Sequence, residues 1–212
     1  MKYLLAAMFV LLFSSCLDDS TKNIVLKDKM IQFVPKDSGT NYFYYETVGS
    51  TNNILEDLAS EVLFNLKEPV LNVDSSEGEF VRFIWLRAFE NAVVIRVNKF
   101  NDTVYIIIKE LKTKATAAKF PNIIKDTIII LDKNKWEQFT NPIKQSNFFN
   151  SSYTDTSFGL DGAVWFLECR LNNKYKVIKR WDNGYLSSNK INSYLNPLID
   201  FTNKIIPLKS VR

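Results

Sequence analysis

The spacing of hydrophobic and polar positions divides the chain into strand-like and helix-like stretches. Residues 30–34 and 41–48 are short and rich in β-forming side chains, and a turn-like segment separates them. Over residues 50–69 the period changes, because apolar side chains recur at spacings of three and four. This pattern predicts an amphipathic helix that lies on a sheet and ends at Pro69.

The middle of the chain is dominated by β-prone residues. Apolar stretches cover residues 79–89, 92–100 and 103–111, and the dipeptides Glu90-Asn91 and Asn101-Asp102 separate them. Asn and Asp tolerate positive φ and are typical of tight hairpin turns. The pattern therefore predicts a three-stranded antiparallel meander.

The second half of the chain also contains both strand-like and helix-like stretches. Residues 126–131 predict another strand. The helix predicted after it can be capped by Asp132, and Pro142 is expected to shorten or kink that helix. Asn172-Asn173 lies between two apolar stretches and predicts a hairpin. Residues 187–206 predict a final helix that Pro197 kinks or divides.

Strand-rich and helix-rich segments are segregated, with no repeating βα pattern. This order predicts an α+β fold with a mostly antiparallel sheet, made of the meander and the C-terminal hairpin, and about three helices packed on one side. We expect one domain over residues 29–212.

The N-terminus has the organisation of an export signal. Lys2 precedes an unbroken apolar run of ten residues, Leu4 to Phe13. A membrane-spanning helix needs about twenty apolar residues, whereas ten is typical of a signal-peptide core. We therefore expect residues 1–15 to be removed.

The four residues "FSSC" end this signal and resemble the bacterial lipobox, in which small residues precede a cysteine that is acylated. The resemblance implies a lipoprotein whose first residue is Cys16, with palmitate-type chains attached to it. Residues 16–28 then form a polar tether. Asp18-Asp19 resembles the surface-export signal of lipoproteins in Bacteroidetes-type bacteria, although a solvated tether explains the pair equally well. The implied location is the cell envelope, at the outer membrane, and on the cell surface if Asp18-Asp19 acts as an export signal.

Composition excludes several kinds of chemistry. The chain has no histidine, so His-dependent triads and His-ligated zinc are excluded, and it lacks the glycine-rich fingerprints of nucleotide sites. The formal net charge of +4 is too small to indicate a nucleic-acid partner. No cofactor or metal is predicted. If Cys16 carries lipid, Cys169 is the remaining thiol, and its apolar surroundings favour a buried structural role.

Two aromatic–arginine pairs are the candidates for a binding surface. Counting from a two-residue turn sets Trp165 opposite Arg180, and the same counting in the meander sets Trp85 opposite Arg96. These pairs predict a positively charged, aromatic sheet face. The alternative is that arginine stems cover the tryptophans on an ordinary solvated face.

Glu168 is the remaining candidate in the hairpin. We expect it to form a salt bridge with its diagonal neighbour Lys179 or with Arg170. Asp161 is the only carboxylate that could act with it in acid–base catalysis. However, seven residues of extended strand separate the two by roughly 23 Å, and groups that act on one bond lie about 5–10 Å apart.

The C-terminal hairpin resembles a pattern found in uncharacterised bacterial proteins. The pattern is D-G-x-x-W-x-x-E, then K-Y, then R-W, and the family implies no activity. Its matching positions are Asp161, Gly162, Trp165, Glu168, Lys174, Tyr175, Arg180 and Trp181.

Together these features predict a non-catalytic, membrane-anchored lipoprotein that binds a protein or another cell-envelope component. One alternative is a small-ligand-binding lipoprotein that uses the aromatic/arginine face. A less favoured alternative is a carboxylate-dependent glycan hydrolase.

Overall fold

The computed structural model describes most of the region after residue 53. The described residues are 54–71, 78–88, 90–112, 122–152, 162–182 and 189–205. The helices within them are α1 (Ile54–Asn65), α2 (Asn134–Gln145), a short 3-10 turn (Phe148–Asn150) and α3 (Asn189–Ile205). The strands are β1 (Glu79–Arg87), β2 (Ala92–Phe100), β3 (Thr103–Lys112), β4 (Asn122–Leu131), β5 (Ala163–Leu171) and β6 (Lys174–Asp182).

The strands form one six-stranded antiparallel sheet in the order β4-β3-β2-β1-β5-β6. The fold is therefore α+β with an antiparallel sheet, as the sequence predicts. Two of the predicted turns are confirmed by their backbone. Asn101 has a φ of 53°, and Asn172 and Asn173 have φ values of 50° and 60°. These values are typical of tight hairpin turns, where asparagine is favoured.

The sheet is covered on both faces. One face packs against α2 and α3 through a core that includes Trp165, Phe139 and Leu198. The other face packs against α1 through a core that includes Leu63, Ile84 and Phe166. The helices thus divide between the two faces rather than sharing one side. The physical reason is that the central strands are apolar at successive positions, which is typical of strands buried on both faces.

The three helices follow the sequence pattern in part. Helix α1 ends at Asn65, before the expected stop at Pro69. Helices α2 and α3 contain Pro142 and Pro197 within their bounds, so Pro142 does not shorten the first and Pro197 does not divide the second. At the start of α2, the backbone N–H of Asn134 donates to the Asp132 carboxylate at 2.8 Å, so the predicted capping role of Asp132 is confirmed.

The export signal, Cys16, the tether and the two early β-prone stretches lie outside the described residues. So does Asp161, the possible catalytic partner of Glu168. The predictions made for these parts stay predictions.

Candidate functional site

A row of charged side chains crosses the centre of the sheet on the face that packs against α1. In the strand register, Arg82 of β1 lies directly opposite Arg96 of β2 on one side and opposite Glu168 of β5 on the other. Lys109 of β3 reaches the same region, and all four side chains are buried. Charged groups at this depth require partners, because burial removes their hydration.

The central partner, Glu68, is placed by the way α1 ends. Lys67 adopts a φ of 53°, and its N–H donates to the carbonyl of Phe64 at 2.9 Å. The N–H of Glu68 donates to the carbonyl of Leu63 at 2.9 Å. This pair of hydrogen bonds is a Schellman motif, which reverses the chain at the end of a helix. The reversal directs Glu68 towards the sheet.

The carboxylate of Glu68 lies among three cations. Its Oε2 atom is 2.7 Å from Nε of Arg96, and its Oε1 atom is 2.9 Å from Nζ of Lys109. A guanidinium nitrogen of Arg82 is 3.6 Å from Oε2. Like charges directly opposite each other destabilise a sheet. Glu68 offsets the repulsion between the two arginines because one of its oxygens interacts with both.

The pKa of Glu68 reflects this surrounding charge. Burial alone would raise its pKa, but attraction to Arg96, Lys109 and Arg82, together with the hydrogen bond from Arg96, outweighs that effect. The net result is a pKa well below the ordinary value of 4.5. Glu68 is therefore ionised at neutral pH and serves as the counter-ion of the row.

Lys109 has a second role at the end of α1. Its Nζ atom donates to the carbonyl of Leu66 at 2.7 Å and to that of Lys67 at 3.2 Å. The last carbonyls of a helix lack intrahelical partners and carry partial negative charge. Lys109 thus caps α1 and neutralises Glu68 with one ammonium group.

Glu168 is the second buried carboxylate. It accepts a hydrogen bond from Nε of Arg82 at 2.7 Å and another from the hydroxyl of Tyr175 at 2.9 Å. Arg82 also donates from its other side to the carbonyl of Pro69 at 2.7 Å. Arg82 therefore connects β5 to the segment that follows α1.

We call the set Glu68, Arg82, Arg96, Lys109, Glu168 and Tyr175 the buried ionic cluster. Its contacts concentrate on residues 66–71, which supply backbone carbonyls as well as Glu68. Arg170 adds a further hydrogen bond, to the carbonyl of Leu71 at 3.0 Å. The cluster therefore fixes residues 66–71, and with them the end of α1, against the sheet. Its two carboxylates face cations in the interior, so the arrangement suits positioning rather than chemistry on a substrate.

The predicted pairing of Trp165 with Arg180 is confirmed by the hairpin register. However, Trp165 has no exposed surface and lies in the core against α2 and α3. The guanidinium of Arg180 donates to the carbonyls of Lys179 and Ser152, at 2.7 and 3.1 Å. The structure therefore places this tryptophan inside the fold rather than on a binding surface.

The predicted pairing of Trp85 with Arg96 is wrong. Trp85 lies opposite Val93, and Arg96 lies opposite Arg82. The counting fails because β1 ends at Arg87 and β2 begins at residue 92, so the connection is longer than a two-residue turn. Arg87 approaches Trp85 instead, with its guanidinium carbon 4.8 Å from the ring centroid. Trp85 is buried in the same core as Trp165.

The salt bridges expected for Glu168 also differ in the structure. Glu168 pairs with Arg82, whereas Lys179 pairs with Glu56 of α1 at 2.6 Å. Arg170 donates to a backbone carbonyl, as described above. The cation that pairs with Glu168 comes from β1 because β1 lies beside β5, and Lys179 finds its carboxylate in α1 because that helix covers this face.

The sequence contains a signal for the buried ionic cluster that cross-strand pairs within one hairpin do not reveal. Arg82, Arg96 and Lys109 each interrupt an otherwise apolar strand, as in "FVRFIW", "VVIRVN" and "IIIKEL". A charged residue in a strand that reads as buried on both faces requires a buried counter-charge. Glu68 could not be assigned as that partner from sequence, because its position depends on the turn at Lys67.

The described residues contain no group of three or more acidic or cysteine side chains that could hold a metal ion. Among the helices in this part of the chain, none is long and apolar enough to cross a membrane.

Comparison with known proteins adds no function to this geometry. No family model matches the chain, and neither does any curated protein.

Proposed function

We propose that the chain is a bacterial lipoprotein whose folded domain binds a protein or another cell-envelope component without catalysing a reaction. The observation that carries the proposal is the N-terminal sequence. A charged start, a ten-residue apolar run and "FSSC" lead to Cys16. The first two features are typical of an export signal, and "FSSC" resembles the lipobox, in which the cysteine is acylated.

The proposed anchor has a direct physical consequence. One acyl chain holds a protein at a membrane only weakly, whereas two or more hold it durably. A chain acylated at Cys16 would keep its domain near the bilayer through the polar residues 17–28. In this proposal the location is the outer membrane, and Asp18-Asp19 is the feature that favours surface display.

The preference for binding over catalysis rests on the side chains available. The whole chain lacks histidine, the commonest acid–base catalyst. Glu168, the carboxylate considered for glycan hydrolysis, is buried and paired with Arg82. The aromatic/arginine face considered for ligand stacking depends on Trp85 and Trp165, and both rings lie in the core. Neither alternative therefore has a specific observation in its favour.

The experiment is crosslinking in intact cells that express the full-length chain, followed by affinity purification and mass spectrometry. The test variant is Cys16→Ala, which removes the acylation site. The matched control is Cys169→Ala, which removes the other cysteine and leaves the anchor in place.

We expect one envelope component to crosslink to the wild-type chain and to Cys169→Ala, and to be lost with Cys16→Ala. The same component should bind the purified chain in detergent. If no component meets both conditions, the binding role is wrong. If Cys16→Ala captures the same component from the same membrane fraction, the anchor is not what brings the two together.

A further inference from the structure

Among the described strands, β4 lies at one edge of the sheet and differs from every other strand in it. None of its ten residues is buried, although five of them are isoleucine. Ile124 and Ile130 expose 44% and 41% of their surface. By comparison, β3 beside it is buried at most positions. An apolar edge strand of this length is a ready template for pairing with another strand.

The opposite edge of the sheet is protected in the usual way. Four of the nine residues of strand β6 are cationic, namely Lys174, Lys176, Lys179 and Arg180. Two copies of β6 would repel each other, which is how many proteins keep an edge from pairing. Strand β4 carries one Lys and one Asp, Lys125 and Asp126, so two copies of it meet without net charge. The two edges are therefore not equivalent, and β4 is the one compatible with a second copy.

The exposed isoleucines also fit a symmetric partner. Ile124 and Ile130 lie three residues before and three residues after Thr127. In an antiparallel pair centred on Thr127, each exposed isoleucine lies opposite the other isoleucine of the second copy. The same register sets Ile123 opposite Leu131 and Thr127 opposite itself. Apolar and Thr–Thr cross-strand pairs of this kind stabilise sheets.

The exposure of Ile124 has a local cause in the pairing of β4 with β3. Glu110 and Leu111 of β3 are consecutive, but they pair with Lys125 and Ile123 of β4. Ile124 is therefore the extra residue of a β-bulge and has no residue directly opposite it on β3.

We infer that β4 pairs with β4 of a second copy about a two-fold axis at Thr127, which joins two six-stranded sheets into one continuous sheet. Most symmetric dimers use the same surface patch on both subunits, and an antiparallel strand pair meets that condition. The inference does not depend on the proposed function, because it rests only on the sheet edge.

The test is disulfide crosslinking of the full-length chain in whole extracts of cells that express it, with a thiol oxidant added. In a Cys169→Ser background, Thr127→Cys places a thiol on the two-fold axis, where it faces its own mate. The Cα atoms of directly opposed residues lie about 4.5–5.5 Å apart, within the range that a disulfide can bridge. Asp102→Cys, on the exposed turn between β2 and β3, is the control for random collision. The background variant alone reports any crosslinking through Cys16.

We expect Thr127→Cys to form a disulfide-linked dimer at least tenfold more efficiently than Asp102→Cys or the background. A yield no greater than that of Asp102→Cys would overturn the inference. As a second measurement, sedimentation of the chain in detergent should give a dimer for wild type. The variant Ile130→Lys should sediment as a monomer, because it sets a charge in the contact. A monomeric wild type at tens of micromolar concentration would contradict the inference, whatever the crosslinking yield.

Discussion

The Oε2 atom of Glu68 lies 2.7 Å from Nε of Arg96, although the two residues are 28 positions apart and both are buried. The contact joins the turn after α1 to the centre of the sheet. It also sets a single carboxylate among Arg96, Arg82 and Lys109. The stability of this face should therefore depend on one acidic group.

Replacing Glu68 by Gln should be strongly destabilising. The substitution keeps the size of the side chain but leaves buried cations without their counter-charge. Breaking a buried ion pair in this way costs about 3–5 kcal/mol. The measurement is the free energy of unfolding from urea denaturation. The control is Glu61→Gln on the exposed side of α1, which should change stability by less than about 0.5 kcal/mol. Equal effects of the two substitutions would show that the cluster is not stabilising.

Stability should fall as the pH is lowered below the ordinary pKa of Glu68, 4.5. The folded-state pKa is depressed, so the unfolded chain binds a proton more readily than the folded chain in this range. The stabilisation from Glu68 is therefore present above pH 4.5 and is lost progressively below it. The measurement is the free energy of unfolding as a function of pH. In Glu68→Gln the slope below pH 4.5 should be smaller than in wild type, and an unchanged slope would assign the acid sensitivity to other carboxylates.

Replacing Lys109 by Met should loosen the end of α1 more than the rest of the fold. The substitution removes the donor to the carbonyls of Leu66 and Lys67 and one cation from Glu68. Leaving buried acceptors unpaired costs about 1–3 kcal/mol. Amide hydrogen exchange should show the largest loss of protection in α1. Lys112→Met, at the exposed end of β3, is the matched control and should leave α1 protection unchanged.

Cys169 should be unreactive in the folded protein. Burial raises the pKa of its thiol well above the ordinary value of 9.0, and the nearby carboxylates of Glu168 and Glu79 add to the effect. In a Cys16→Ala variant, alkylation at pH 8 should proceed only at the rate at which the chain unfolds. Labelling that is fast in buffer and insensitive to added denaturant would contradict the buried position of this residue.

The two asparagine turns and the register of the C-terminal hairpin can be predicted from short stretches of sequence. The Asn101 and Asn172-Asn173 turns follow from the tolerance of asparagine for positive φ, and the register of the 163–182 hairpin follows from its two-residue turn. The register of Trp85 could not be predicted in the same way. The chain between β1 and β2 is longer than a tight turn, and a shift in a turn moves every cross-strand pair that follows it.

The buried ionic cluster cannot be predicted from short stretches of sequence, for a different reason. Its members come from the turn after α1 and from β1, β2, β3, β5 and β6, so their meeting depends on strand order and on which face α1 covers. Strand order is not written in the spacing of any one segment. The isolated charges within apolar strands indicate that partners exist, but they do not identify Glu68.

The measurement that tests the proposed function most directly is the mass of the N-terminal peptide from chain extracted from bacterial membranes. We expect a peptide that begins at Cys16 and carries the added mass of two or three acyl chains. We also expect that Cys16→Ala yields no acylated peptide. An N-terminal peptide that begins at Met1, or one that contains Cys16 without acyl chains, would contradict the lipid anchor and with it the envelope-binding role.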